Sequence, residues 1–497
     1  MMTFVHKRRG FICIFLLILL CWTPYILMFG SRIVSWDGAA QLIQVLKRSA
    51  PENNHPYSST FLMGGILKIT SLFTNNINHQ LLLFGLAQTF CFVLVISLLL
   101  SWIKQHFSNS VFLLSLTFYA LFPLFPIYSI TFDKSGYFLL GILMLSWGGF
   151  KICTDYQQCH KFQIATYILI ISGSLLTILF RDDGIYITLT FLAFALLKKE
   201  LRKFFATVLL GVIVLWLIIT KVWYPNVPVQ HSSGDGGAMS LPTQQVARVV
   251  AKNGNISKKL ESELNQYLPM NQIGKLYDEN LADPVKFKYR QLPSPKYKND
   301  ARKTYTQYSK FLKERSTFKF LKLWTKLGLS NIKTYIAAFV YQVDGYFSPW
   351  AKINNYSYEG QLFFGISSHK LTTGWNTHLK PMIPEVQYFG NTNSTLAKKA
   401  RDTVFGLNKV FIFKHLIFAA YLYVWILLFC LINFFYNSFK RKHFSITNFL
   451  PIFLDCCVLG IALLSPVDGA IRYIMPIIFT LPLLFLSTHS SAYFKRK

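Results

Sequence analysis

Apolar residues recur along this chain in runs of roughly twenty separated by short polar connections. That pattern fits membrane-crossing helices rather than the alternation of a half-buried strand. The first run covers 11–29 and follows Lys7, Arg8 and Arg9. It is too long for a signal-peptide core and lacks a small-residue cleavage site, so it reads as an uncleaved span with a cytoplasmic N-terminus. Further runs at 80–103, 111–130, 136–150, 163–180, 184–197, 204–222, 410–436, 446–465 and 471–488 bring the expected total to ten. The run at 184–197 is short and needs either a thinned bilayer or an extension into Asp182 and Asp183.

The stretch 56–73 is apolar but holds Gly64, Gly65 and Lys68. As an eleventh span it would move Lys198, Lys199, Arg202 and Lys203, then Lys440, Arg441 and Lys442, and finally Lys495, Arg496 and Lys497 to the outside. The retention of Lys and Arg on the cytoplasmic side argues against that. The stretch is therefore expected to be a helix lying in the outer interface. The resulting prediction is an all-α polytopic membrane protein in three parts. Residues 1–222 hold seven spans and a first outer loop at 30–79, residues 223–408 form a mainly helical extracytoplasmic domain, and residues 409–497 hold three spans. Both termini are then cytoplasmic. Within 223–408, HSSGDGGAMS (231–240) reads as a loop, LPTQQVARVV can place Val246, Val249 and Val250 on one helical face, and 318–340 spaces apolar residues as a helical pair resting on the membrane.

Composition agrees: 53% of residues are hydrophobic and only 14% charged, far from the proportions of a soluble chain. The net charge of +30 is in part topological, and no basic region joins a recognised nucleic-acid motif, so no nucleic-acid partner is expected. The eight cysteines avoid the long polar stretch and imply no disulfide framework. Cys153, Cys159 and His160 lack the paired spacing of a zinc site.

Charged side chains in or near a bilayer are scarce and generally functional, so their depth is informative. In this topology Asp37, His55, Asp133, Lys134, Arg181, Asp182, Asp183 and Arg472 all sit at the outer ends of spans. Asp37, in SWDGAAQ, can serve as a base toward an attacking hydroxyl. Lys134, Arg181 and Arg472 come from three different turns and can hold a phosphate as it gains leaving-group charge; His55 can reach the same group. Each residue also has a plainer reading. Lys134 can simply neutralise Asp133, Arg181 can pair with Asp182 or Asp183, Arg472 with Tyr473 can anchor a helix at the interface, and His55 can begin one. Asp133, Asp182 and Asp183 are accessory candidates, and with Asp37 they are hard oxygen ligands compatible with Mg or Mn, although no spacing requires a metal.

The phrases WDGAAQL, NNHPYSSTFLMGGIL, TFDKSGY, RDDGIY and IRYIMP, in this order and topology, resemble the glycosyltransferase superfamily C (GT-C). SLPTQQVARVV and KLGLSNIKTYIAAFVYQVDGYFSPW resemble an uncharacterised Gram-positive membrane family grouped with it. The resemblance implies transfer of a sugar from a polyprenyl-phosphate carrier to an acceptor on the outer face. It casts Asp37 as base, and His55, Lys134, Arg181, Arg472 and Tyr473 as donor-phosphate residues. Tyr57 stands where a second Pro is usual, and Gly38 where several members carry a second acid.

The expected function is thus an inverting hexosyl- or pentosyltransferase of the cell membrane acting on an envelope glycopolymer or lipid. The basic character of 223–408 suggests an anionic acceptor such as a teichoic acid. A transporter or flippase of lipid-linked saccharides is the rival from another class; Asp455 is the clearest mid-span charge, but no repeat is evident. A non-catalytic envelope assembly protein is the third reading.

Overall fold

A computed structural model of the chain describes residues 2–30, 34–52, 55–159, 163–227, 237–291, 296, 301–351, 380–386, 395, 399, 410 and 415–493. Among these residues every regular element is helical, and β pairing is confined to isolated bridges. The first part contains α1 (Met2–Phe29), α2 (Trp36–Val45), α3 (Tyr57–Thr70), α4 (Ile77–His106), α5 (Asn109–Leu121), α6 (Leu124–Ile130), α7 (Ser135–Cys159), α8 (Ile164–Phe180), α9 (Gly184–Ala195), α10 (Arg202–Leu217) and α11 (Tyr224–Asn226). A middle group follows: α12 (Ser240–Ala251), α13 (Lys258–Leu264), α14 (Met270–Leu276), α15 (Asp283–Lys286), α16 (Ala301–Glu314), α17 (Thr317–Ser330) and α18 (Ile332–Val343). The last part is α19 (Ala420–Lys440), α20 (Ile446–Leu463) and α21 (Ile471–Tyr493).

Seven helices among the described residues are long and apolar enough to cross a membrane, and the bent pair α5 and α6 makes eight. The protein is thus a helical chain built for repeated membrane crossing. The two remaining expected spans are helical but short, 17 residues in α8 and 12 in α9.

Two expected boundaries change. The run 111–130 is not one straight helix but breaks by 53° between α5 and α6. Pro123 has no N–H and pushes the residue before it out of the helical region, and Phe122 is accordingly extended. The run 410–436 starts too early and stops too soon, because the helix spans Ala420–Lys440. Phe418 and Ala419 are buried in irregular backbone, so their apolar character reflects burial rather than helix.

The membrane helices share one hydrophobic core, while α12 to α18 supply a second built on Val246, Val249, Leu264, Phe320, Leu327 and Tyr335. The expected face of Val246 and Val249 is thus buried, and the apolar pattern at 318–340 becomes α17 and α18, split at Asn331. The glycine-rich start of that region, 231–236, lies outside the described residues.

The two cores meet at the turn between α20 and α21. There Ala282 N–H donates to Pro466 O at 2.7 Å, Gln342 Nε2 to Ser465 O at 2.8 Å, and Gly345 N–H to the Asp468 carboxylate at 2.8 Å. Gly469 has φ +59°, and a Cβ there would lie 3.1 Å from Gly345 Cα, so the backbones can approach this closely only without side chains.

The stretch at 56–73 forms α3, packed beside α2 and the end of α8. Gln41 Nε2 donates to Ser59 Oγ at 2.8 Å and Thr60 Oγ1 at 2.9 Å, and Ser58 Oγ donates to Leu179 O at 2.7 Å. The small polar residues of α3 thus face the protein, and Phe61, Ile69, Leu72 and Phe73 remain exposed. That division suits a helix whose outward side meets lipid.

Candidate functional site

The site is assembled at one end of the bundle from the starts of four helices. Ser35 precedes α2 in an extended conformation, and its Oγ accepts from Gly38 N–H at 2.9 Å, an N-cap that fixes Asp37 in the first turn. A bridge between Val34 and Phe132 lays this entry against the segment before α7. Gly38 makes the approach feasible: a Cβ there would lie 2.0 Å from Phe132 O. A second acidic residue after Asp37 is therefore sterically excluded in this packing.

The segment before α7 is held equally firmly. Gln88 of α4 donates through Nε2 to the carbonyls of Tyr128, Ser129 and Thr131 at 3.2, 2.9 and 3.1 Å, giving partners to the carbonyls at the C-terminal end of α6. Asp133 accepts from Ser135 N–H at 2.6 Å and from the Ser35 hydroxyl, joining the starts of α7 and α2.

These constraints bring four residues from distant parts of the sequence together. Arg472 Nη2 lies 2.9 Å from Asp37 Oδ2, Lys134 Nζ 3.3 Å from the same oxygen, and His55 Nε2 3.7 Å from Asp37 Oδ1. Lys134 also donates to His55 Nδ1, which places the ring proton on Nε2, facing Asp37. All four side chains are largely buried, none more than 18% exposed. The starts of α2, α3, α7 and α21 converge here, so their dipoles add positive potential to that of Lys134 and Arg472.

Burial works to raise the Asp37 carboxyl, but Arg472, then Lys134 and His55, overcome it and hold it well below the usual carboxylate range. Burial, then Lys134, pushes His55 down to about 4, so its imidazole is neutral at pH 7. Lys134 and Arg472 thus share the one carboxylate of Asp37, and the buried Asp133 carboxylate beside them also faces Arg472 and His55.

The other expected residues have different surroundings. Arg181 forms a two-pronged pair with Asp183, 2.8 Å from each carboxylate oxygen, so its plainer reading describes its contact. Its guanidinium also lies over the Tyr473 ring at 5.4 Å, and that of Arg472 lies 5.3 Å from the same ring. Tyr473 thus links Arg181 to the cluster without bringing it onto Asp37. Lys134 pairs with Asp37 rather than with its neighbour Asp133, and Asp133 serves as a helix-start acceptor. Asp182 lies on the turn beside this pair and is exposed.

Among the described residues no three His, Cys, Asp or Glu side chains gather as a metal-binding group. The donor set does not fit a divalent cation either. Asp37 is already engaged by two cations that would repel a metal ion, and both Asp133 oxygens accept protein hydrogen bonds. Cys153, Cys159 and His160 fall outside the described side chains.

Sequence reasoning missed Ser35, Gln88 and Tyr128. Ser35 had a visible signal, a small hydroxyl residue just before a helix, whereas Tyr128 and Gln88 are hidden inside apolar runs.

The profile of a family of unknown function, DUF6020, matches residues 48–496. The chain belongs to the DUF6020 family. The matched region includes His55, Lys134, Arg181 and Arg472, while α1 and α2 precede it. No curated protein and no solved structure matches the chain.

Proposed function

We propose that this member of the DUF6020 family is a GT-C-type glycosyltransferase that moves a sugar from a polyprenyl-phosphate carrier to a cell-envelope acceptor on the extracytoplasmic side. One observation carries this reading: an acid, a neutral histidine, a lysine and an arginine from four separate helix starts meet around one carboxylate at the end of a membrane bundle. The resemblance casts these residues as base and phosphate ligands, and their contacts suit those roles.

The acceptor hydroxyl attacks the anomeric carbon from the face opposite the phosphate. The bond between that carbon and the phosphate oxygen breaks, and the departing polyprenyl phosphate keeps the electron pair. Lys134 and Arg472 stabilise the growing charge, and Asp37 takes the acceptor proton; direct displacement inverts the anomeric centre. While Lys134 and Arg472 pair with it alone, Asp37 is a poor base, because they hold its carboxylate. A bound phosphate shares their charge, raises the basicity of Asp37 and so couples donor binding to activation. Arg181 and Tyr473 support Arg472 from behind. No step requires a metal ion.

The membrane setting suits such a donor, because nucleotide sugars are confined to the cytoplasm and a lipid-held phosphate leaving group solves delivery. The exposed apolar side of α3 offers the carrier tail a neighbouring surface. The basic region 223–408 favours an anionic acceptor such as a teichoic acid. Transport of lipid-linked saccharides is the second reading. It draws on Asp455, fully buried in α20, with Oδ2 accepting from Thr480 Oγ1 at 2.7 Å and Oδ1 without a hydrogen-bond partner among the described residues.

Mass spectrometry of envelope polymers from cells with the wild-type chain, without it, and with Asp37→Asn tests the proposal. The expected result is a sugar increment present only with wild type. An unchanged polymer profile across all three would refute it, and an increment retained by Asp37→Asn would remove the assigned base.

A further inference from the structure

The middle group of helices turns one amphipathic face away from both cores. On α17 the outward side chains are Phe318 and Leu329, 79% and 71% exposed, flanked by the exposed Lys319, Lys322 and Lys326. Phe318 and Leu329 stand about three turns apart and so fall on one line along the helix. Phe320 and Leu327, on the opposite side, are fully buried in the second core. On α18, Ile332, Ile336 and Val340 recur every fourth position and are all exposed, with Lys333 beside them, while Tyr335, Ala338 and Gln342 are buried. Both helices therefore fill their core with one face and leave a second apolar stripe uncovered.

The charges on this face have one sign. From residue 315 to residue 343 the chain carries Arg315, Lys319, Lys322, Lys326 and Lys333 and no Asp or Glu. The four ammonium groups make no ion pair or hydrogen bond among the described residues. Lysines beside an outward apolar stripe suit the headgroup layer of a bilayer, where the apolar groups enter the acyl boundary and the long basic side chains reach the phosphates. A protein partner fits less well, because lysine is depleted from protein interfaces.

The neighbourhood of α18 is at the right level. Phe339 and Phe347 pack against the core of the membrane helices. Phe347 O accepts at 2.8 Å from Nε1 of Trp425, an exposed indole near the start of α19. Such indoles favour the boundary between membrane and water, so the end of α18 meets the bundle where headgroups lie.

We propose that the outward face of α17 and α18 is a docking surface for anionic phospholipid headgroups. Phe318, Leu329, Ile332, Ile336 and Val340 enter the acyl boundary, and Lys319, Lys322, Lys326 and Lys333 hold the phosphates. The lysines of this face are then committed to the membrane's own lipids rather than to an acceptor polymer. Gln342 ties the same helix to the turn between α20 and α21, so the lipid contact also steadies the middle helices against that turn. The surface does not depend on the transferase reading.

The test places a photo-crosslinking amino acid at Ile336 in the full chain, in nanodiscs of equal phosphatidylglycerol and phosphatidylcholine, and identifies the adducts by mass spectrometry. Phospholipid adducts are expected, with phosphatidylglycerol enriched about threefold or more. Added salt should lower the enrichment, because exposed charges are screened. Lys319→Gln, Lys322→Gln, Lys326→Gln and Lys333→Gln combined should bring the two lipids to parity while the adducts persist. Absence of lipid adducts, crosslinks between two copies of the chain, equal labelling of the two lipids at low salt, or an enrichment that survives the four substitutions would overturn the proposal. In whole cells the same position should label phospholipid, and labelling of another protein or of a glycopolymer in its place would also overturn it.

Discussion

The two ends of α7 carry buried charge clusters that look alike in composition and differ in saturation. At its C-terminal end Lys151 Nζ donates to Asp155 Oδ1 at 2.6 Å and to Gln163 Oε1 at 2.8 Å. Asp155 Oδ2 accepts from Thr166 Oγ1 at 2.5 Å and from Gln163 N–H at 3.2 Å. One cation meets one carboxylate, and the carboxylate joins α7 to the start of α8. At the other end, roughly 25 Å away along the helix, two cations and a neutral histidine surround the Asp37 carboxylate, and Arg472 Nε has no hydrogen-bond partner among the described residues. The first arrangement closes a helix connection. The second divides the Asp37 carboxylate between two buried cations, so a further acceptor beside them can take a share of their charge. Saturation, rather than the mere presence of buried ions, separates a structural cluster from a binding one.

Substitutions at the two ends should therefore fail differently. Asp155→Ala leaves Lys151 buried without its partner and should lower stability by roughly 3–5 kcal/mol, seen as a fall in unfolding temperature in detergent, with transfer per folded molecule unchanged. Asp37→Asn should cut transfer per folded molecule by about a hundredfold or more, and, because it leaves Lys134 and Arg472 without their carboxylate, it should lower the unfolding temperature as well. An inactive but stable Asp155 variant, or an active Asp37 variant, would erase the distinction.

Gly38→Ala probes how the cluster is built. The added methyl meets Phe132 O and must push α2 from the start of α7, with a stability loss of about 1–3 kcal/mol and a larger loss of donor binding. A wild-type-like Gly38→Ala protein would show that the close approach of these segments does not matter.

The smallest effect is on pH dependence. His55 takes up its proton at about 4 in the folded chain, against an ordinary value of 6.5. Between those values the unfolded chain binds more protons, so stability falls as pH drops from 6.5 toward 4, by at most about 1.4 kcal/mol per pH unit from this group. Asp37, depressed further, adds its loss only at lower pH. His55→Gln should flatten the pH 4–6.5 portion of the unfolding profile, and an unaltered profile would place His55 in a more open setting than the one described.

Much of this arrangement was legible because bilayers impose few options. Uninterrupted apolar runs had to become helices, and the polar residues between them had to gather at helix ends. Asp37 and Arg472, 435 positions apart, were associated through topology alone, since no local pattern connects them. The pairing of Arg181 with Asp183 was readable as a neighbour contact. The bend at Pro123 was also written in the chain, but a continuous apolar run masks it when hydropathy is the only guide. Tyr128 stayed invisible for the same reason: in IYSI it reads as one more apolar residue, and only the folded path of α6, clamped by Gln88, turns its hydroxyl into an unsatisfied donor. The boundary near Ala420 was misread because burial outside a helix produces the same hydropathy as burial within one.

The central claim, that the cations around Asp37 are a site awaiting a lipid-borne phosphate, is most directly tested by measuring polyprenyl phosphate binding to the full chain in nanodiscs, wild type against Lys134→Met combined with Arg472→Met. Saturable binding by wild type, reduced at least tenfold in the double variant while the Lys151 and Asp155 cluster is untouched, is the predicted result. Equal binding by both proteins would contradict it.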